Sequence, residues 1–403
     1  MTDLRGYAAV TAAYWAFMLT DGALRMLVLL HFNALGFTPL QLAWLFLLYE
    51  VAGIVTNLTA GWLAARFGLA LTLKLGLGLQ VAALVALTRL DPGWAVATSV
   101  VYVMLVQGAS GVAKDLAKTA SKSAVKLLVP GDGLFTWVAA LTGSKNAIKG
   151  LGFFVGAGLL AGIGFEAALW SMAAALLAIL VAVMAFLPAG LSIRNAGIRF
   201  RQVLSRDRRI NWLAAARSAL FGARDVWFVV ALPVWLSGTL AKEGAESAAF
   251  LVTGGFMALW VIGYGAVQGA TPRLVGAGSV GRAMRWAGIL AAVAAATAAA
   301  HLARPDAAAP VLLGLMAFGA AFAVNSALHS YLILRFAGAE RVTMDVGFYY
   351  MANAAGRLMG TLLSGLCYQA GGLALSLGAS AVLVVLSLGA LARIPADPEA
   401  VPS

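Results

Sequence analysis

The chain has 403 residues, 62% of them hydrophobic and 11% charged, with a mean hydropathy of +0.91. Soluble domains carry about 25% charged residues, so there are too few charges here to coat the two or three soluble domains this length would make. That excludes an ordinary cytoplasmic enzyme, a disordered chain and a nucleic-acid binder, and the formal net charge of +12 does not reopen the last of these once its basic residues are placed.

A helix crosses the hydrocarbon of a bilayer with about 20 mostly apolar residues. Twelve such runs follow one another: Tyr7–Phe32, Leu40–Ala65, Ala70–Leu87, Trp94–Ala113, Leu134–Gly162, Phe165–Leu187, Ile210–Ser237, Ser247–Ala270, Ala283–Leu302, Pro310–Leu334, Val342–Gln369 and Leu373–Leu391. They are solid runs without the alternation of a barrel strand, so the fold class is an all-α membrane protein. The first run is too long for a cleaved leader and carries Asp21 and Arg25, so it is expected to stay in the chain. The single cysteine, Cys367, excludes an intrachain disulfide and any multi-cysteine metal site.

The basic residues set the orientation. With the N-terminus inside, 19 of the 28 Lys and Arg fall in inner loops and tails, among them Lys114, Lys118, Lys122 and Lys126, and three (Arg89, Lys242 and Arg304) fall outside. Both termini are therefore expected in the cytoplasm. The four-residue lysine repeat reads as a helical extension below the fourth span, either plain topology or a funnel for anions. Residues 188–209 hold six arginines and divide the chain into two six-span bundles, 1–187 and 210–403. Their basic character reads as topology, with lipid headgroup recognition as the alternative.

The two halves repeat. Asp21 and Asp225 lie at similar depths in the first and seventh spans. Asn146 and Lys149 precede a glycine-rich run in the fifth span, as Asn353 and Arg357 do in the eleventh. Gly61-Trp62-Leu63-Ala64-Ala65-Arg66-Phe67-Gly68 resembles the cytoplasmic loop motif of the major facilitator superfamily, with Ala65 where that family usually has Asp. The resemblance implies two pseudo-symmetric six-helix bundles with a substrate path between them.

Six basic residues remain inside the spans: Arg25, Lys145, Lys149, Arg217, Arg224 and Arg357. Four acids join them: Asp21, Glu50, Asp225 and Asp345. Each costs about 2.5–3.5 kcal/mol at mid-membrane unless paired or facing a cavity, and the positive surplus favours a multiply charged anion. Asp21 and Arg25 share a helix face, as an intrahelical pair or as proton site and substrate contact. Lys145 and Lys149 share another and repel unless something negative lies between them. Arg357 is a partner at the same depth in the other half, and its planar guanidinium suits phosphate or carboxylate. Arg224 and Asp225 are adjacent and need not pair; Arg224 is a substrate contact. Glu50 has no basic residue one turn away on its own helix, which makes it a proton-coupling carboxyl or a permanently protonated one. Arg217 reads as an interdomain latch, and Asp345 with Gly61, Arg66 and Gly68 as gate or loop residues. His329, near Asn325, is the one histidine considered for the cavity. No catalytic, nucleotide-binding or metal-ligand constellation is present in the sequence, so no enzyme activity, metal or cofactor is expected.

Longer stretches point to a narrower family. They are TDGALR (Thr20–Arg25), LYE (Leu48–Glu50), TNL (Thr56–Leu58), AKDL (Ala113–Leu116), SKSA (Ser121–Ala124), LTGSKN (Leu141–Asn146), FGARDVWF (Phe221–Phe228) and ALWVIGYG (Ala258–Gly265). Together they resemble the ArsJ-type organoarsenical efflux permeases. The resemblance implies export of 1-arseno-3-phosphoglycerate, made when glyceraldehyde-3-phosphate dehydrogenase uses arsenate, across a bacterial inner membrane, by a monomer. The dehydrogenase is then a functional partner and the bilayer the only other one. On that reading Lys145 and Lys149 grip one end of the substrate, Arg224 and Arg357 the other, and export is proton-coupled. Two alternatives stay open: an organophosphate/phosphate exchanger, and a receptor or scaffold that transports nothing.

Overall fold

A computed structural model of the chain describes residues 4–128, 134–186, 207–241, 246–275, 278–305, 307–337 and 342–395. The described residues form thirteen helices and no strand. In order they are α1 (Leu4–Ala34), α2 (Pro39–Leu45), α3 (Leu47–Phe67), α4 (Leu69–Leu87), α5 (Val96–Leu128), α6 (Leu134–Ile163), α7 (Phe165–Phe186), α8 (Arg208–Phe228), α9 (Ala231–Ala241), α10 (Glu246–Val275), α11 (Val280–Ala303), α12 (Ala308–Phe336) and α13 (Val342–Leu391).

Two of the expected spans are each built from two helices. The second begins at a capping box in which the Thr38 hydroxyl accepts from the Gln41 amide and Pro39 opens the first turn, and it is interrupted at Phe46. The seventh is interrupted at Val229 and Val230, just ahead of Pro233. Proline lacks an amide hydrogen and its ring collides with the carbonyl four residues back, which here belongs to Val229.

Among the described residues, eleven helical stretches are long and apolar enough to cross a membrane. The last, Asp345–Leu391, has 47 residues. That is about 70 Å at 1.5 Å per residue, more than twice the roughly 30 Å of hydrocarbon. It breaks at Gly371 and Gly372, where Gly372 has φ +62°, a region side chains bearing a Cβ avoid. The stretch therefore crosses twice, and twelve spans result, with the turn in the expected gap between Gln369 and Leu373. Burial fits a lipid solvent: Leu259, Leu274, Leu302, Leu313 and Phe186 are exposed, while Asp21, Glu50, Asp115 and Asp225 are buried. The chain is a multi-pass membrane protein.

Two compact units divide it: Met1–Phe200 with Val230–Ala266, and Arg201–Val229 with Val267–Ser403. Of the linker 188–209, only residues 207–209 are among those described. The segment Val230–Ala266 groups with the first unit, where Asn33 Nδ2 donates to Ser237 Oγ at 3.3 Å and Gly150 faces the Ala258 carbonyl.

The repeat expected from sequence recurs in the packing. In the first unit α1 lies against α6, and a Cβ on Gly156 would fall on the backbone of Ala23. In the second unit α8 lies against α13, and a Cβ on Gly356 would fall on the backbone of Ser218. Small residues let membrane helices approach this closely, and dispersion rather than hydrophobic burial then holds them. Three residues before Gly152 stands Lys149, and three before Gly360 stands Arg357, so each tight crossing carries a cation into the middle of its unit.

Candidate functional site

In the first unit the charges come from four helices. Asp21 and Arg25 lie on α1, Tyr49 and Glu50 on α3, Lys114, Asp115 and Lys118 on α5, and Lys145 and Lys149 on α6. Asp21 is 3% exposed. Its Oδ2 accepts from Lys149 Nζ at 2.6 Å, and its Oδ1 accepts from the Tyr49 hydroxyl at 2.6 Å. The Lys114 ammonium lies over the Tyr49 ring, 4.1 Å from its centroid. Arg25 Nη1 and Nη2 both donate to Glu50 Oε1 at 3.2 Å, with the Phe46 ring 5.0 Å from the guanidinium.

These contacts correct two expectations. Asp21 does not pair with Arg25 along the helix, because Lys149 reaches it from α6. Glu50 does not lack a cation, because Arg25 reaches it from α1. Inspecting one turn of the same helix could not find partners 128 and 25 residues away. Lys145 is half-buried on α6. Lys149 has the negative neighbour that the like-charged pair requires.

The lysine repeat also changes meaning. The fourth apolar stretch runs from Val96 to Ser121, and Lys114 and Lys118 lie toward its end. Asp115, which the sequence reading passed over, is their counter-charge. Its Oδ1 accepts from Lys118 Nζ at 2.6 Å, Thr56 donates to its other oxygen, and Lys118 also donates to Asn57 Oδ1 at 2.9 Å. One acid inside a run of lysines was the available signal. The side chains of Lys122 and Lys126 lie outside the described residues, as do those of Gly61 and Arg66 on α3. Gly68 forms the turn from α3 to α4 with φ +86°, and its carbonyl accepts from the Thr72 amide and hydroxyl. That backbone angle alone accounts for a glycine there.

The second unit is arranged on α8, α10, α12 and α13. Asp225, 1% exposed, has two guanidiniums on it. Arg224 Nε donates to Oδ1 at 2.6 Å and Arg357 Nε to Oδ2 at 3.3 Å. Arg224 thus does pair with its neighbour, its long side chain spanning the 100° between adjacent positions. Two turns earlier on α8 is Arg217, 4% exposed. Its Nε donates to Asn353 Oδ1 at 3.0 Å, and its Nη1 to Ser326 O at 2.9 Å and Ser326 Oγ at 3.1 Å. Among the described residues no carboxylate pairs with it. These partners lie in the second unit. The Phe221 ring sits between the two arginines, 4.1 Å from Arg217 and 4.8 Å from Arg224. Asp345 is buried in the first turn of α13, where the helix dipole favours a carboxylate.

Twelve apolar spans in two repeated halves are the architecture expected above, and the structure adds a tight helix pair and an ion pair in each repeat. The family model of the Major Facilitator Superfamily matches residues 10–360, most of the chain. The chain belongs to the major facilitator superfamily. Solved structures of this facilitator's fold include a POT family transporter in complex with 5-aminolevulinic acid, at 13% identity and TM-score 0.75, covering 97% of this chain and 96% of that one. A bacterial homologue of the iron transporter ferroportin in an inward-facing state is similar at 16% identity and TM-score 0.70, covering 98% and 100%. At such identities the likeness is one of fold. No curated protein sequence matches the facilitator. It is a membrane transporter, and its buried charges are the groups available to meet a charged solute.

Proposed function

We propose that this facilitator exports a multiply charged organic anion, 1-arseno-3-phosphoglycerate, across the bacterial inner membrane and so confers arsenate resistance. The observation that carries the anionic substrate is an imbalance where α8 faces α13: three guanidiniums, the buried Arg217 and the half-buried Arg224 and Arg357, and one carboxylate, Asp225, engaged with two of them. A planar guanidinium is permanently charged and matches tetrahedral oxyanions bidentately. The stretches quoted above that resemble ArsJ-type permeases supply the arsenate ester. On this reading the substrate is made by glyceraldehyde-3-phosphate dehydrogenase. The chain works as a monomer of two six-span halves joined by residues 188–209, with both termini in the cytoplasm.

In the first unit, Arg25, Lys145 and Lys149 are the anion contacts, and Asp21 and Glu50 control two of them. A buried carboxylate parted from its cation cannot stay charged in a low-dielectric interior and takes a proton. A proton on Asp21 or Glu50 therefore frees Lys149 or Arg25, and this is how a proton gradient acts on transport.

Uptake of enzymatically generated arsenophosphoglycerate into everted vesicles, with and without a proton gradient, tests both parts. Gradient-stimulated uptake is expected, together with arsenate resistance in cells that express both the chain and the dehydrogenase. Resistance without the dehydrogenase would sink the substrate. Glu50→Gln should abolish the stimulation by the gradient and leave substrate exchange intact; full stimulation in that variant would sink the coupling role.

A further inference from the structure

The Arg217 level of the second unit differs from the Asp225 level next to it. Seven residues separate Arg217 from Arg224, so both lie on one face of α8, about 10 Å apart, with Phe221 between them. On α13, Asn353 meets the first of these levels and Arg357, four residues on, the second. At the Asp225 level one carboxylate serves two guanidiniums. At the Arg217 level every partner is neutral: Asn353, Ser326, and the rings of Phe221 and Tyr349.

Several polar groups there also have no hydrogen-bond partner among the described residues. His329 is fully buried, and neither ring nitrogen is bonded. Asn325 is fully buried, and its Oδ1 is unbonded while its Nδ2 donates to Ala321 O. Arg217 uses Nε and Nη1, which leaves Nη2. Ser326, which Arg217 holds, also accepts from Gln268 Nε2 at 3.2 Å. Asn325, Ser326 and His329 fall within a 100° arc of α12, and the Arg217 guanidinium acts electrostatically on His329. An unmet buried polar group costs about 1–3 kcal/mol. Grouping several beside an unbalanced cation is unfavourable unless something completes them.

We propose that Arg217, His329 and Asn325 form a second anion site in this unit, for a tetrahedral oxyanion that still carries a proton, such as hydrogen phosphate or hydrogen arsenate. The charge and the remaining amino group of Arg217 fix the anion. A neutral imidazole offers one donor and one acceptor, and Asn325 Oδ1 is an acceptor only. Acceptors in the site need an O–H from the ligand, which a protonated oxyanion has and which sulfate or a halide lacks. This site stands on Arg217 and α12 and does not depend on which organic anion the facilitator carries.

The test is direct binding of radiolabelled inorganic phosphate to the full-length protein purified in detergent. Saturable binding is expected, displaced by arsenate at similar concentrations and by sulfate or chloride only at concentrations at least tenfold higher. Arg217→Gln and His329→Phe should each weaken phosphate binding at least tenfold. Arg209→Gln, in the first turn of α8 and paired with Asp207, should change it by less than threefold. If Arg217→Gln does not fold, as judged by gel filtration, His329→Phe decides alone. Wild-type binding in His329→Phe, equal competition by sulfate, or no phosphate binding would overturn the proposal. Failure of arsenophosphoglycerate transport with phosphate binding intact would count against the transport reading and leave this one standing.

Discussion

The two units carry the same device and balance it differently. In the first, α1 and α6 cross tightly and join Asp21 to Lys149; in the second, α8 and α13 cross tightly and join Asp225 to Arg357. Around the first pair each further acid has its own cation, Glu50 with Arg25 and Asp115 with Lys118. Around the second, one carboxylate serves two guanidiniums, and a third guanidinium rests on neutral groups. The charge cluster of the first unit mixes lysines with Arg25, while that of the second uses arginine alone. Lysine is a compact charge that can part from a carboxylate, and arginine is a fixed fork for oxyanions. Matched pairs suit a switch that protons can open, and unmatched guanidiniums suit recognition of an anion.

The comparison can be broken by substitution. The largest effect belongs to Asp225→Asn. It removes the carboxylate that Arg224 and Arg357 share, and breaking a buried pair from one side costs about 3–5 kcal/mol. Thermal unfolding in detergent should show that loss, and adding an oxyanion at millimolar concentration should recover part of it. A change below about 1 kcal/mol would mean that the second unit is balanced by other groups.

A smaller effect is expected when both members of the first pair are removed. Lys149→Met and Asp21→Asn each break the pair from one side, at about 3 kcal/mol. The double variant removes both charges and should unfold well above either single variant. Strict additivity would show that the 2.6 Å contact does not couple the two residues.

The smallest effect should come from a carboxylate at the membrane edge. Asp207 caps α8, accepting from the Arg209 amide at 2.8 Å. Partial burial opposes its ionisation, but the hydrogen bonds from Arg209 outweigh this and hold its carboxyl below the ordinary carboxylate range. A lowered value means that its contribution is present above about pH 4 and is lost as the pH falls through the lowered value. Asp207→Ala should cost about 1 kcal/mol at neutral pH, and the difference from wild type should shrink on acidification. A constant difference would assign the effect to packing.

The spans were legible because crossing a bilayer is a local property of about 20 consecutive residues. The repeat was legible as well: Asp21 with Asp225 and Lys149 with Arg357 stand at matching depths in runs of matching character, and the structure builds the same ion pair from each. Partners were not legible. Arg25 sits one turn from Asp21 and bonds Glu50; Lys114 and Lys118 read as inner-side charges and flank the buried Asp115; nothing in the sequence joined Arg217 to Asn353 and Ser326. Sequence alone determined where charge enters the membrane, because hydropathy accumulates along the chain. Only the tertiary structure decided which charges cancel, because an ion pair forms within about 4 Å, and that distance is set by glycine-lined helix crossings between residues more than a hundred positions apart.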